Sequence, residues 1–235
     1  MLGTIVAGIS VAVKAVTTAV ATIGPAVSSF AAKVAPLITT ALNKAPVLLA
    51  RVSNFASVFL GLTHVFKQDE KVEEIGEAAL QAAADKNPIT PDQFDDFDEY
   101  MEELRNYPID PKKAEEHSPI EKIVAGMAIG SVGLERRYNA NPGDFKDIWL
   151  LPLAHPDYFT SERMKSIVSQ GKLAYSLYDY LNNNLSGSQA ITLEKDLVSR
   201  LEIDNEDEKI ANLYETLDEA KDNVQQFYKS MKEDN

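Results

Sequence analysis

The chain has 235 residues, which is enough to bury a substantial core, and its 45% hydrophobic and 25% charged residues are typical of a globular protein. The net charge of −13 argues against nucleic acid as a partner, because phosphate binding needs a dense basic patch. The sequence contains no cysteine, which excludes disulfides, thiol chemistry and cysteine-based metal sites.

Acidic residues are absent from the first part of the chain. Residues 1–68 carry five basic residues and no Asp or Glu, whereas all 36 acidic residues and the other 18 basic residues follow. Such a charge division indicates that the two parts have different neighbours, for example a membrane or a partner surface. We therefore predict an apolar, basic, membrane-compatible region at residues 1–66 and an acidic helical domain at residues 67–235.

Residues 2–23 are predicted to form one helix, because apolar residues recur there at steps of three and four. This apolar face consists of Leu2, Ile5, Ile9, Val13, Val16, Val20 and Ile23. The opposite stripe is small or polar, which would let a second backbone approach closely.

Prolines at positions 25, 36 and 46 divide the next part of the chain into short segments. Proline is tolerated in the first turn of a helix and disrupts its interior, so each segment is predicted to form a short helix that starts near its proline. The last segment continues as an apolar face that consists of Leu48, Val52, Phe55, Phe59, Leu62 and Phe66.

The composition of residues 1–66 is typical of a segment that contacts a membrane. Four basic residues accompany the apolar faces and would contact anionic lipid headgroups, namely Lys14, Lys33, Lys44 and Arg51. No simple span of about 20 apolar residues is present, since Gly24-Pro25 breaks the uncharged stretch at 15–32. Two alternatives remain: the helices pack together, or with copies of themselves, as a buried oligomeric bundle, or they form a targeting segment.

The acidic part contains clear helix-start signals. The segments at 90–93 (Thr-Pro-Asp-Gln) and 118–121 (Ser-Pro-Ile-Glu) each combine a capping box with proline at the first helical position. They predict helices over 90–106 and 118–137, and Thr160 is predicted to cap a further helix. No convincing strand pattern occurs outside the ambiguous run at 148–153, so the predicted fold class is all-α with many helices.

The sequence predicts no metal site and no cofactor. His64, His117 and His155 are far apart and have no metal-ligand spacing. The acidic clusters at 92–103 and 204–215 lack the glycine that an EF-hand calcium loop requires at its sixth position. The chain also contains no Gly-rich phosphate loop and no dinucleotide-binding fingerprint.

The segment GLERRYNANPGDF at 133–145 resembles the sequence around the catalytic glutamate of lytic transglycosylases. Glu135, Tyr138, Asn139 and Pro142 occupy similar places in the pattern, and the resemblance implies that Glu135 is a general acid. The segment departs from the pattern at Arg136, where the family usually has Ser, and no Gly-Leu-(Met/Trp)-Gln element follows. The competing interpretation is an ordinary helix C-terminus, in which basic residues complement the helix dipole and Asn139 terminates the helix.

These patterns favour a non-enzymatic, membrane-interacting protein. We expect a bacterial or phage-delivered pore-forming or membrane-inserting protein, such as a toxin or a virion component, whose acidic domain masks the apolar region until delivery. The expected partner is a lipid bilayer or a second copy of the chain. The alternative is a structural or interaction protein of a virion or secretion apparatus, whose N-terminal helices form an oligomeric bundle. The third hypothesis is a peptidoglycan hydrolase that uses Glu135.

Overall fold

The computed structural model describes residues 2–201 and 206–233, and within them the side chains of residues 9–201 and 210–231. The predicted all-α class is confirmed: the protein is 71% helical, and the described residues form thirteen α-helices and no strand. The ambiguous run at 148–153 is part of a short helix.

The helices follow one another with short connections. In chain order they are α1 Leu2–Ala21, α2 Ser28–Lys33, α3 Ala35–Lys44, α4 Leu48–Leu62, α5 Val72–Ala83, α6 Phe97–Asn106, α7 Pro111–Glu116, α8 Pro119–Arg137, α9 Leu150–Ala154, α10 Ser161–Ser169, α11 Leu177–Leu181, α12 Gly187–Arg200 and α13 Glu206–Glu233. Two single turns of 3-10 helix, Pro25–Val27 and Pro91–Gln93, precede α2 and α6.

The prolines and caps set most of the helix starts as predicted. Pro36 lies in the first turn of α3, and α4 begins two residues after Pro46. At α8 the capping box forms in both directions: Glu121 N–H donates to Ser118 Oγ at 3.2 Å, and Ser118 N–H donates to Glu121 Oε2 at 2.7 Å. The predicted cap of α10 is confirmed as well, because Thr160 Oγ1 accepts from a backbone N–H of the first turn.

One predicted start was wrong. The capping box at Thr90 forms, but it opens only the 3-10 turn Pro91–Gln93, and α6 begins later, at Phe97. The reason is a second cap, in which Asp96 Oδ1 accepts from Asp98 N–H at 2.8 Å. A short acidic side chain in extended backbone can start a helix in the same way as threonine, and it does so here closer to the aromatic residues that reach the core.

Helices α5 and α8 form the most extensive helix pair, and two glycines allow them to touch. A Cβ atom at Gly76 would lie 1.8 Å from the carbonyl oxygen of Lys122, and one at Gly126 would lie 1.9 Å from that of Val72. Because both obstacles are backbone atoms, neither position can hold a larger residue without moving the helices apart. These two positions therefore need glycine for close approach, not for a special φ angle.

A single hydrophobic cluster runs through the described side chains. It contains Val20 and Ile38 from the N-terminal region as well as Ile129, Trp149 and Leu217 from the acidic region. Helix α1 contacts α8, and α3 contacts α8, α9 and α13. Position 66, the predicted boundary between the two regions, therefore does not coincide with a gap in the packing.

Candidate functional site

Helix α3 is enclosed by other helices of the same chain. It contacts α1, α2, α8, α9 and α13. Seven of its ten residues are buried: Ala35, Leu37, Ile38, Thr39, Thr40, Ala41 and Leu42. Burial against five other helices is typical of a core helix, in contrast to the one-sided burial of a surface helix.

The polar side chains of α3 satisfy their hydrogen bonds within the helix. Thr39 Oγ1 donates to the carbonyl of Ala35 at 2.7 Å, and Thr40 Oγ1 donates to the carbonyl of Pro36 at 2.8 Å. Asn43 Nδ2 donates to the Thr39 carbonyl at 2.9 Å. These groups need no partner on another helix, so the helix would bring few unsatisfied polar groups into another apolar environment.

The apolar face predicted for residues 1–66 turns toward the chain's own core wherever its side chains are described. Its buried members are Val16, Val20, Ile23, Val52, Phe59 and Phe66, and its half-buried members are Ile9, Val13, Leu48, Phe55 and Leu62. The side chains of Leu2 and Ile5 lie outside the described part of the chain. Contact between this face and lipid or a second copy would require the helices to separate from the core.

The predicted headgroup contacts all lie at the surface, at Lys14, Lys33, Lys44 and Arg51. Arg51 forms an ion pair with Asp157, which joins α4 to the α9–α10 loop. Lys33 Nζ lies 5.5 Å from the ring centroid of Tyr178. Within the described residues, Lys14 and Lys44 form no ion pair, so their charges face solvent.

The surface formed by residues 9–66 is basic or uncharged throughout, since the chain has no acidic residue before Asp69. Three large apolar side chains add to it, because Val11 is 69% exposed, Val47 is 85% exposed and Val58 is 43% exposed. Val47 lies between Lys44 and Arg51 in sequence. Acidic side chains from later in the chain contact this region at three points, where Asp92 accepts from Ala26 N–H, Glu73 accepts from Ser53 Oγ and Asp157 pairs with Arg51.

Among the described helices, none is by itself both long and apolar enough to cross a membrane. One pair meets the criterion together, the segments Pro25–Lys33 and Ala35–Lys44, which are bent by 47° at the break between them. The pair contains the buried helix α3. The break coincides with the start signal supplied by Pro36.

Glu135 lies in the last turn of α8 and is buried. Its Oε1 atom accepts backbone N–H groups from Gly143 at 2.8 Å and from Phe145 at 3.2 Å. Burial raises the pKa of Glu135 to about 7, although the two N–H donors favour the ionised form. The carboxylate thus fixes the loop that follows α8.

The end of α8 has the local geometry of an ordinary helix terminus. Asn139 has a positive φ of 50°, and the N–H of Ala140 donates to the Glu135 carbonyl at 2.8 Å. The two preceding arginines are exposed. Asn139 thus ends the helix, and the two arginines lie where they complement the helix dipole. This is the ordinary helix C-terminus that the sequence predicts as the alternative to a catalytic site.

A second buried carboxylate, that of Asp147, lies at the other end of the loop between α8 and α9. Asp147 Oδ2 accepts from Ser176 Oγ at 2.6 Å and from the Tyr178 N–H at 2.9 Å, and burial raises the pKa of Asp147 above its ordinary value. Sequence reasoning missed this residue, because its partners lie far along the chain. No local sequence pattern predicts hydrogen bonds between residues that are so distant in the chain.

Glu77 on α5 forms a third buried polar cluster that sequence reasoning missed. Its carboxylate contacts Gln81 Nε2 at 2.7 Å, His117 Nδ1 at 3.0 Å and Lys122 Nζ at 3.3 Å. Burial opposes ionisation, but these donors together hold the pKa of Glu77 below its ordinary value. The cluster ties α5 to the start of α8. Within the described residues, no group of three or more acidic or histidine side chains is arranged to hold a metal ion.

The comparisons with known proteins give no relative. No family model matches the chain, and no curated protein and no solved structure shows significant similarity to it.

Proposed function

We propose that this protein engages membranes through its acid-free N-terminal helices, which it carries packed inside its own fold until it meets the bilayer. The observation that carries the proposal is the enclosed helix α3, in which seven of ten residues are buried and the threonine hydroxyl groups are hydrogen-bonded within the helix. In a bacterial or phage setting this is the behaviour of a delivered pore-forming or membrane-inserting protein.

The exchange of protein core for lipid is physically reasonable for this segment. Lipid tails are about as apolar as leucine side chains, so the apolar surface of α3 stays out of water in both states. Backbone and hydroxyl hydrogen bonds remain within the helix, which is the condition that a bilayer imposes on any inserted segment. The cost of release falls on the remaining core, which loses the contacts that α3 makes with α1, α8 and α13.

The length of the bent pair favours a broken or re-entrant insertion over a straight span. Residues 25–44 would extend about 30 Å as one helix, which is the thickness of a bilayer core. However, Lys33 lies close to the 47° bend at its centre. A lysine at that depth needs to snorkel to the interface or to line a water-filled path.

The exposed lysines support an anionic target. Lys14, Lys33 and Lys44 are exposed and have no acidic neighbour in the first 68 residues. Each basic residue near an anionic surface contributes about 1 kcal/mol of attraction, which salt weakens. The strongly acidic remainder of the chain would be repelled by the same surface, so the protein would approach with its N-terminal region first.

A structural or interaction role is the second candidate, and the burial of the predicted apolar face favours it. Because Val16, Val20 and Phe59 already pack in the core of one chain, the fold needs no lipid to satisfy them. In that case the exposed, acid-free surface around Val47 would bind an acidic protein or a second copy. The oligomer mass and the lipid experiment below separate the two candidates.

The test is flotation and dye release with vesicles that contain phosphatidylglycerol, compared with vesicles of phosphatidylcholine alone. The wild-type protein should float with the anionic vesicles and release their contents. The triple variant Lys14→Glu/Lys33→Glu/Lys44→Glu should bind at least about tenfold more weakly at low salt, with a smaller difference at high salt.

The matched control reverses three exposed lysines of the acidic region, Lys86→Glu/Lys112→Glu/Lys113→Glu, and changes the net charge by the same amount. It should bind nearly as well as the wild type. Equal losses in the two triple variants would show that net charge alone matters. The absence of wild-type flotation, together with a dimeric or larger mass in solution, would replace membrane engagement with the interaction role.

A further inference from the structure

A cavity of about 220 Å³ lies where α4 packs against α9 and the beginning of α10. Its buried walls are apolar and include Val52, Met127, Trp149 and Leu153. Its more exposed lining is polar and includes Asn54 and Glu162. The cavity therefore has an apolar interior and a polar opening, which is the usual plan of a small-molecule site.

The volume sets the size of the molecule that fits. An apolar cavity of about 150 Å³ in a protein core binds benzene, which has six heavy atoms. By the same proportion, a cavity of 220 Å³ holds roughly nine heavy atoms. This is the size of a medium-chain aliphatic molecule or a small substituted ring.

The charges at the opening favour a neutral molecule. Arg51 lines the cavity, but its guanidinium is paired with Asp157. Glu162 also lines the cavity and adds a negative charge. Among the described lining residues, no unpaired cation is therefore offered to a carboxylate. Thr160 and Asn54 supply neutral hydrogen-bonding groups.

We propose that this cavity binds a neutral aliphatic molecule with a single hydroxyl group, of the class of the medium-chain alcohols. The alkyl chain of the alcohol enters between Phe55, Trp149 and Leu153, and its hydroxyl group stays among the polar groups at the opening. The inference does not rest on membrane engagement. It does have a consequence for it, because the walls come from both α4 and the acidic helices. A molecule bound there would stabilise the packed form.

Trp149 makes the proposal directly measurable, since it is the only tryptophan of the chain and lines the cavity. Its Nε1 donates to Ser131 Oγ at 2.8 Å and its ring packs edge-on against Phe59 at 5.5 Å. These contacts hold the indole in place, so a change in its emission reports occupation of the cavity.

The probe is 1-octanol, which has nine heavy atoms. We expect a saturable change in Trp149 emission with one site per chain. We also expect the unfolding temperature to rise by about 5–10 °C at roughly one hundred times Kd, because the ligand binds only the folded protein. Octanoate should bind at least about tenfold more weakly, since the described lining offers no unpaired cation to its carboxylate.

Two neighbouring leucines of α4 give a matched pair of variants. Leu48 lines this cavity, whereas Leu49 faces a different hollow near Pro119, and both are half-buried. Leu48→Phe should weaken octanol binding at least about tenfold, and Leu49→Phe should leave it unchanged. Leu153→Phe reduces the same cavity from α9 and should act like Leu48→Phe.

Three results would overturn the proposal. The first is a wild-type protein whose Trp149 emission and unfolding temperature do not respond to octanol. The second is equal binding by Leu48→Phe, Leu153→Phe and Leu49→Phe proteins that all remain folded. The third is octanoate binding as tight as octanol binding, which would assign the site to anions.

Discussion

At the scale of single residues, Glu135 is the residue to which the hydrolase and the helix-terminus hypotheses assign different roles. A general acid needs an elevated pKa and access to the bond that it protonates. Burial gives Glu135 the first property, with a pKa of about 7, but its Oε1 is engaged by two backbone N–H groups of its own loop. The carboxyl group is therefore better placed to hold a loop than to reach a substrate.

The Glu135→Gln variant tests this role through the pH dependence of stability. The pKa of about 7 in the folded state exceeds the ordinary value of 4.5. Glu135 therefore destabilises the fold increasingly as the pH rises from about 4.5 to about 7. The full effect is roughly 3 kcal/mol, at 1.36 kcal/mol per pKa unit. The glutamine variant should equal the wild type in urea unfolding near pH 4.5 and exceed it at pH 8.

The same variant tests the hydrolase hypothesis. We expect neither the wild type nor Glu135→Gln to release muropeptides from peptidoglycan, and we expect membrane activity to be unchanged. Loss of a general acid reduces a rate about 10²–10⁴-fold. A wild-type hydrolase activity that disappears in a folded glutamine variant would therefore establish catalysis.

At the scale of helices, the packing of α1 can be tested with two valines on the same helix. Val16 is buried at 2% exposure, whereas Val11 is 69% exposed. Val16→Asp should lower the free energy of unfolding by several kcal/mol, because a buried charge without a partner is strongly unfavourable. Val11→Asp should change it by less than about 0.5 kcal/mol. Equal urea midpoints for the two variants would show that the buried stripe does not contribute to the core.

The contact between α5 and α8 gives a second prediction at this scale. Gly76→Ala places a methyl group 1.8 Å from a backbone oxygen of the facing helix, and it should cost about 3 kcal/mol or more. Gly187→Ala at the first residue of α12 meets nothing within 4 Å and should be neutral or slightly stabilising. Thermal unfolding measures both. A Gly76→Ala protein as stable as wild type would mean that the helices lie farther apart.

Local signals account for what the sequence predicts well about the helices. The capping box at Ser118, the cap at Thr160, the proline in the first turn of α3 and the proline before α4 act within one turn, so they are visible in the sequence. The late start of α6 was missed because two caps compete within seven residues, and only packing chooses between them. The three-four spacing of α1 predicts a buried face but not what covers it.

At the scale of the whole molecule, the charge division can be predicted from the sequence, whereas the packing of the core cannot. The sequence alone predicts an acid-free region followed by an acidic one, because charge is a property of composition. It does not predict that α3 lies among α1, α8, α9 and α13, since each of these contacts joins residues that are distant in the chain. The buried partners of Asp147 and Glu77 were missed for the same reason.

The shared core also determines which experiment is informative. The N-terminal helices contribute buried residues such as Ile38, Phe59 and Leu60 to the same cluster as the acidic helices. A fragment of residues 67–235 would expose the surface that those residues cover, and we expect it to aggregate or unfold. A reversible lock on the full chain therefore tests release of the N-terminal helices better than a truncation.

The structure offers such a lock between α2 and the loop after α8. A Cβ atom at Gly143 would lie 3.7 Å from the Cβ of Ser29, close to the mean of about 3.8 Å in disulfides. Cysteine at Gly143 is strained, because its φ of 87° costs an L-residue about 1–2 kcal/mol. A disulfide that closes a loop of more than a hundred residues stabilises the folded state by about 4–5 kcal/mol, which exceeds this strain. The chain has no other cysteine, so the Ser29→Cys/Gly143→Cys pair forms a single defined bond.

The decisive measurement is dye release from phosphatidylglycerol-containing vesicles by the oxidised and the reduced Ser29→Cys/Gly143→Cys protein, with each single variant as a control. If the N-terminal helices must leave the core, the oxidised protein should release dye at least about tenfold more slowly than the reduced protein. Addition of a reductant should restore the rate, and the single variants should not respond to it. Equal release by the oxidised and reduced proteins would show that dye release does not require the N-terminal helices to leave the core.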